Sequence, residues 1–247
     1  MLFRVLGPVD VVRSGTSVPI AGERQRAVLA MLLLSRDEVV STERLIDALW
    51  GADPPASAAH GIEVAVSKVR RQLSHEVVRT RPPGYLVPLS AGDLDVDLFG
   101  ALVSEAAAAR SRDDPAGAAY ALRQALGLWR GDALADVSAA PFALLESMRL
   151  AELRLAALEA RIDADIECGL AAEVIGELRL LIEAWPFRER LRELLMLALY
   201  RCGRQVEALA AYRDARRALV DSVGIEPGPA LRLAERAILR QDAIGSR

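Results

Sequence analysis

The stretch SAAHGIEVAVSKVRRQLSHEVVRTRPPGYLV (57–87) decides the fold. Ile62, Val66, Val69 and Leu73 are spaced as one apolar stripe of an α-helix. A turn of about 100° per residue then puts Ser57, His60, Gly61, Val64, Ser67, Lys68 and Arg71 on the opposite side. That side is polar, small to medium in size, and cationic toward its C-terminal end. Beyond Leu73, Val77 to Arg81 has strand character, Pro82-Pro83-Gly84 is a turn, and Tyr85-Leu86-Val87 returns as a second strand. From Lys68 to Arg81 there are five basic residues against one acid, Glu76. A basic helix face followed by a basic hairpin suits a helix in the DNA major groove and a hairpin on the adjacent backbone or minor groove. A solvated helix face beside an edge hairpin explains this stretch alone as well, so the flanking sequence decides.

Upstream, 2–20 reads as short strands: Leu2 to Leu6, then Val9 to Val12, then Ser17 to Ile20 after the Ser14-Gly15 turn. Residues 23–34 read as a helix with Ala27, Val28, Met31, Leu32 and Leu34 toward the core. Ser41 is a candidate N-cap for a helix through Trp50, with Val40 and Leu45 at the hydrophobic-staple positions. Gly51 and Pro54-Pro55 end it. Strands, three helices and a hairpin in this order make a winged helix-turn-helix, which favours the DNA reading.

Composition sets bounds on the rest. A chain of 247 residues, 52% hydrophobic, forms one large or two modest domains with a sizeable core. Its longest apolar run, Val28 to Leu34, is too short to span a membrane, and MLFRVLGPVD has no signal-peptide pattern, so a cytoplasmic location without membrane attachment is expected. The net charge of −3 is unevenly shared. Residues 1–90 hold 11 Lys/Arg and 9 Asp/Glu, net +2, whereas 91–247 hold 20 and 25, net −5. A mildly basic head on an acidic body follows. Lys68 is the only lysine in the chain.

Several runs resemble a known family. GERQRAVLAMLLL (22–34), VVSTERLIDALWG (39–51), PPASAA (54–59), VSKVRRQL (66–73) and TRPPGYLV (80–87) are similar to the OmpR-type winged helix of the SARP family, the bacterial antibiotic regulatory activators. LGLWRGDALADV (126–137), RLAELRLAALEARIDADI (149–166), LMLALYRCGRQVEALAAYRDARRAL (195–219) and GIEPGPALRLAERAIL (224–239) resemble that family's bacterial transcriptional activator domain. The resemblance covers nearly the whole chain in order. It implies residues 1–92 as the DNA-binding head and 93–247 as the activator domain. A head ending near Gly92 is then expected to recognise its site without the helical half.

Read without the family, the second half loses strand signals from Val96 onward, and amphipathic helices follow one another. Cys168-Gly169, Glu173 and Leu178 recur 34 residues later as Cys202-Gly203, Glu207 and Tyr212. GRQVEALAAYRDA (203–215) has the small-residue and aromatic pattern of a tetratricopeptide helix pair, and Pro186 sits where one pair hands over to the next. The expected fold is therefore mostly α with a small β component: a winged helix-turn-helix followed by an all-α, tetratricopeptide-like array. Such arrays bind proteins on their faces, or serve only as packing units or dimer contacts.

No constellation for chemistry is present. His60 and His75 have no HExxH-type partner, and there is no GxxxxGK[ST], GxSxG or GxGxxG, so neither a catalytic site, a metal nor a cofactor is expected. Cys168 and Cys202 read as small buried thiols rather than a disulfide or metal pair.

The expected mechanism is activation by binding. Ser57, His60, Gly61, Val64, Ala65 and Lys68 are expected in the major groove, with Lys68 on guanine O6/N7, Val64 on a thymine methyl, and Gly61 and Ala65 permitting close approach. Ser67, Arg70, Arg71, Arg79 and Thr80 are expected on phosphates. The resemblance matches the wing at Thr80, Arg81, Gly84 and Tyr85, which implies Arg81 toward the minor groove, Gly84 supplying the turn conformation and Tyr85 anchoring the wing. It further implies double-stranded DNA with direct repeats, self-association on DNA, and recruitment of the RNA polymerase holoenzyme through the 51–56 loop and the helical domain, at an antibiotic or other secondary-metabolite gene cluster. The rival reading is a protein-interaction scaffold whose winged helix contacts protein.

Overall fold

The computed structural model describes residues 1–241 and forms two compact units. Met1–Val103 and Gln124–Leu155 make the first; Ser104–Arg123 and the chain from Ala156 onward make the second. The boundary expected after residue 92 falls inside the first unit.

In the first unit, β1 (Leu2–Arg4), β2 (Asp10–Arg13) and β3 (Thr16–Val18) form an antiparallel sheet in that order. Next come α1 (Glu23–Leu34), β4 (Val40–Ser41), α2 (Thr42–Trp50), α3 (Ala58–Gln72), β5 (Arg79–Arg81) and β6 (Gly84–Leu86). The second sheet has the order β4-β6-β5. The helices thus fall where the apolar spacing puts them, while the strands are shorter than expected and β4 is additional.

Local chemistry accounts for the boundaries. Ser41 caps α2, its hydroxyl accepting from the Arg44 N–H at 3.1 Å, and the staple residues Val40 and Leu45 are both fully buried. Gly51 ends α2 with φ 64, its N–H donating to Asp47 O at 2.8 Å. Gly84 differs from expectation. It does not have a positive φ; a Cβ there would stand 1.9 Å from Val40 O, so glycine is needed for the close approach of β4 to β6. The turn itself is Pro82-Pro83, joined by a cis peptide bond.

Val28, Leu29, Ala30, Leu32 and Leu33 of α1 are all buried, an all-round pattern expected of a helix enclosed on several sides. It packs against α2, α3, β6 and a 3-10 turn at Ala135–Val137. Met31 and Leu34, expected in the core, are only half-buried.

A brace from far along the chain holds the β1–β2 loop. The Phe3 N–H donates to Asp93 O at 2.7 Å. The buried Asp95 carboxylate, at the start of α4 (Asp95–Ser111), accepts from the Val5 N–H at 2.9 Å and the Leu6 N–H at 3.0 Å. The Arg130 N–H donates to Leu6 O at 2.8 Å, and the Leu134 N–H to Gly7 O at 2.9 Å. Asp136 accepts from the Val9 N–H at 2.8 Å and pairs with Arg26 at 2.6 Å. The LGLWRGDALADV run therefore helps build the first unit.

Helices α4, α5 (Pro115–Gly127) and α6 (Pro141–Glu167) each carry residues of both units. The second unit continues with α7 (Ala171–Ala184), α8 (Glu189–Arg201), α9 (Gln205–Val223) and α10 (Pro229–Arg240). α7 packs on α8, α8 on α9, and α10 on both α8 and α9. The repeat is visible in detail. Gly169 (φ 87) and Gly203 (φ 72) turn the chain in the left-handed region, Leu178 and Tyr212 are buried at matching positions, and Pro186 lies between α7 and α8.

The two thiols depart from expectation. Cys168 is exposed and Cys202 half-buried, because each follows the last helical residue before a turn glycine and projects outward there. Charged pairs tie the repeats: Arg110 to Glu167 at 2.9 Å, Arg188 to Glu159 and Arg190 to Asp163 at 2.8 Å, and the buried Asp165 to Arg161 at 3.0 Å and to Arg123. Among the described residues, no helix is long and apolar enough to cross a membrane.

Candidate nucleic-acid interface

α3 buries Ile62, Ala65, Val66, Val69 and Leu73 toward the core of the first unit. Four of these are the expected stripe. Ala65 is a correction: it is 1% exposed and so withdrawn from any ligand on the outer face. At position 65 the helix borders the stripe, and α3 packs on both α1 and α2.

Gly61 is half-exposed and borders two side chains. A Cβ there would stand 3.5 Å from Trp50 Cη2 and 3.4 Å from Arg24 Nη1, so part of its bare surface faces those side chains. Ser57, at the N-cap of α3, is exposed and makes no side-chain cap bond. His60 is exposed and 3.5 Å from Glu63, an acid on this face that the sequence reading left aside. Val64 is half-buried; Ser67, Lys68 and Arg71 are exposed. Lys68 and Arg71 line one shallow groove with Ala21, Gly22, Gln25 and Gln72.

Arg70 has a different place from Arg71. Its Nε donates to Val78 O and its Nη2 to Thr80 Oγ1, both at 2.8 Å, and its guanidinium carbon lies 5.9 Å from the centre of the Tyr85 ring. Arg70 thus ties the helix to the wing, Thr80 receives that tie, and Tyr85 is the surface it stacks on. The wing folds back onto α3, which the helical period alone could not reveal. Arg79 is exposed and 3.8 Å from Glu76; Arg81 is exposed beside the wing turn.

One pair went unseen in the sequence. The Arg24 guanidinium carbon lies 5.2 Å from the centre of the Trp50 ring. The basic ERQR run opening α1 was a usable signal, but its spacing from Trp50 is set only by the packing of α1 on α2. Among the described residues, no three His, Cys, Asp or Glu side chains gather as a metal-binding set.

A helix-turn-helix with a wing, cationic on its outer helix and followed by helical repeats, is the architecture of a winged-helix transcriptional regulator. Residues 19–87 match the family described as "Transcriptional regulatory protein, C terminal", and residues 94–239 match the "Bacterial transcriptional activator domain". The chain belongs to the SARP family of activators. It is 38% identical over 253 residues to regulatory protein DnrI of Streptomyces peucetius, covering 98% of this chain and 93% of that protein. It is 45% identical over 241 residues to regulatory protein AfsR of Streptomyces coelicolor, covering 97% of this chain but only 24% of AfsR. Among solved structures it is similar to Mycobacterium tuberculosis EmbR in complex with a low-affinity phosphopeptide. That match has a TM-score of 0.94 and 36% identity, over 98% of this chain and 66% of that one. The family and these relatives are transcriptional regulators, not enzymes.

Proposed function

We propose that this chain is a sequence-specific DNA-binding activator of an antibiotic or other secondary-metabolite gene cluster. It binds direct repeats near promoters, self-associates there, and recruits RNA polymerase through the 51–56 loop and the helical repeats. The observation that carries the reading is the pair Lys68 and Arg71. Both are exposed on the outer face of α3, and neither has an ion-pair partner among the described residues. A basic pair left unneutralised on a recognition helix matches the charge of a phosphate-lined groove. Arg81, exposed on the wing, extends the same charge toward the minor groove. Membership of the SARP family supports the activator part of the reading.

The test is binding of the full chain to its own upstream promoter region against random duplex at one salt concentration. Preference for the promoter by orders of magnitude supports the proposal. Lys68→Ala should then cost about 1–3 kcal/mol on the specific site and relax preference at one operator position. Equal affinity for promoter and random DNA sinks the sequence-specific reading. Equal weakening of both by Lys68→Ala reassigns Lys68 to phosphate.

A further inference from the structure

We propose that Arg24, held over the indole of Trp50, is a further phosphate contact on DNA, flanking the first turn of α3, with Trp50 as its positioning residue. The inference rests on the DNA-binding reading above and adds a contact from α1, outside the helix-turn-helix pair and the wing.

Arg24 is exposed and has no carboxylate within ion-pair distance among the described residues. Its sequence neighbour Glu23 lines the same groove without pairing with it. The 5.2 Å separation between the guanidinium carbon and the Trp50 ring centre marks a stacked cation. Stacking engages only the face of the guanidinium and leaves its N–H donors at the edge for an anion. Arg70 offers the contrast: it stacks on Tyr85 but also donates to Val78 O and Thr80 Oγ1. The two stacked arginines therefore differ in what remains available. Arg70 donates to the fold, while Arg24 makes no hydrogen bond to protein among the described residues.

Position names the anion. Arg24 Nη1 lies 3.4 Å from where a Gly61 Cβ would stand, in the first turn of α3. Arg71 is ten residues further along the same helix, about 15 Å at 1.5 Å per residue. That span is close to the roughly 12 Å width of the major groove. A helix seated there would have Arg24 beside one phosphate wall and Arg71 beside the other. A stacked, pre-ordered arginine suits a backbone contact that must be equally good on every sequence.

The experiment uses the full chain in a salt series on promoter and random duplexes. Arg24→Gln keeps a polar side chain of moderate length over the indole, so packing is largely retained. It should weaken both duplexes by about fivefold at about 0.15 M salt, the counterion-release factor of one phosphate, and lower the salt slope by about one. Arg24→Lys keeps the charge and should retain most of the slope. Trp50→Phe weakens the stack and should lower affinity in wild type but not in Arg24→Gln, which separates positioning from a merely structural role. An Arg24→Gln chain with unchanged slope, alongside a Lys68→Ala chain that loses affinity, overturns the Arg24 assignment and leaves DNA binding intact. A wild-type chain that binds neither duplex overturns both.

Discussion

Replacing Asp95 by Ala should destabilise the first unit by about 2–4 kcal/mol, although residue 95 lies outside the winged helix. The Asp95 carboxylate is 1% exposed and accepts from the N–H groups of Val5 and Leu6, two residues that are themselves fully buried. Alanine leaves both donors without a partner, at about 1–3 kcal/mol each. Relief of the buried charge offsets part of that cost, since burial pushes the Asp95 carboxyl above its ordinary range against the pull of Val5, Leu6 and Arg130. At roughly 3 °C per kcal/mol for a unit of this size, melting should fall by about 6–12 °C. Hydrogen exchange of a peptide spanning residues 1–9 reads the site directly, and Val5 and Leu6 amides should lose protection in the variant. The raised folded pKa also fixes a sign. The native state holds the proton more tightly than the unfolded chain, so this group's contribution is full below the ordinary Asp value of about 3.9 and is lost as pH rises through the folded pKa. The stability gap between wild type and Asp95→Asn should therefore shrink as pH rises through that window. A variant that melts within about 2 °C of wild type, with unchanged exchange at residues 5 and 6, would refute the reasoning.

The wing supplies two further tests. Arg71→Ala should lower the salt slope of DNA binding by about one, whereas Arg70→Ala should weaken binding with its slope nearly unchanged, because Arg70 acts through Val78, Thr80 and Tyr85. Equal slope losses would return Arg70 to the phosphates. Gly84→Ala drives a methyl against Val40 O and the Ser41 backbone, so β4 and β6 must part, at about 1–3 kcal/mol or more in thermal unfolding. A melting temperature equal to wild type would show that the sheet absorbs the methyl at no cost.

What was legible in the sequence was whatever a local period encodes. Ile62, Val66, Val69 and Leu73 repeat at helical spacing and are buried together; Ser41 and Gly51 bound α2 by capping chemistry that acts within four residues. Positions at the border of the stripe were not legible. Ala65 has no polarity to declare a side, and Gly61 has no side chain at all, so only the packing around α3 decides them. The tie from Arg70 to Val78, Thr80 and Tyr85 was hidden for another reason. Its helical position points to solvent, but the hairpin returns over it, and only the folded wing shows that. The two-residue β4 is too short for any alternation to register. The turn reading at 82–84 located the reversal correctly but assigned Gly84 the wrong duty, since a demand for close backbone approach looks the same in sequence as a demand for unusual φ.

The brace at Asp95, Arg130, Leu134 and Asp136 changes what a truncation can mean. These residues meet the β1–β2 loop across about 90–130 positions of chain, a separation with no local signature. The LGLWRGDALADV run resembles the activator half and lies within residues 94–239, which match that domain, yet its backbone satisfies Leu6 and Gly7 at the opposite end of the chain. A chain cut after Gly92 would strip the donors and acceptors from Val5, Leu6, Gly7 and Val9, leaving buried backbone groups of the head without partners. Loss of DNA binding in such a fragment would then report unfolding rather than a role for the helical repeats in recognition. To ask what the repeats contribute, point substitutions on α7 to α10 are the sound perturbation, because they spare both Asp95 and the 124–155 segment that the first unit needs.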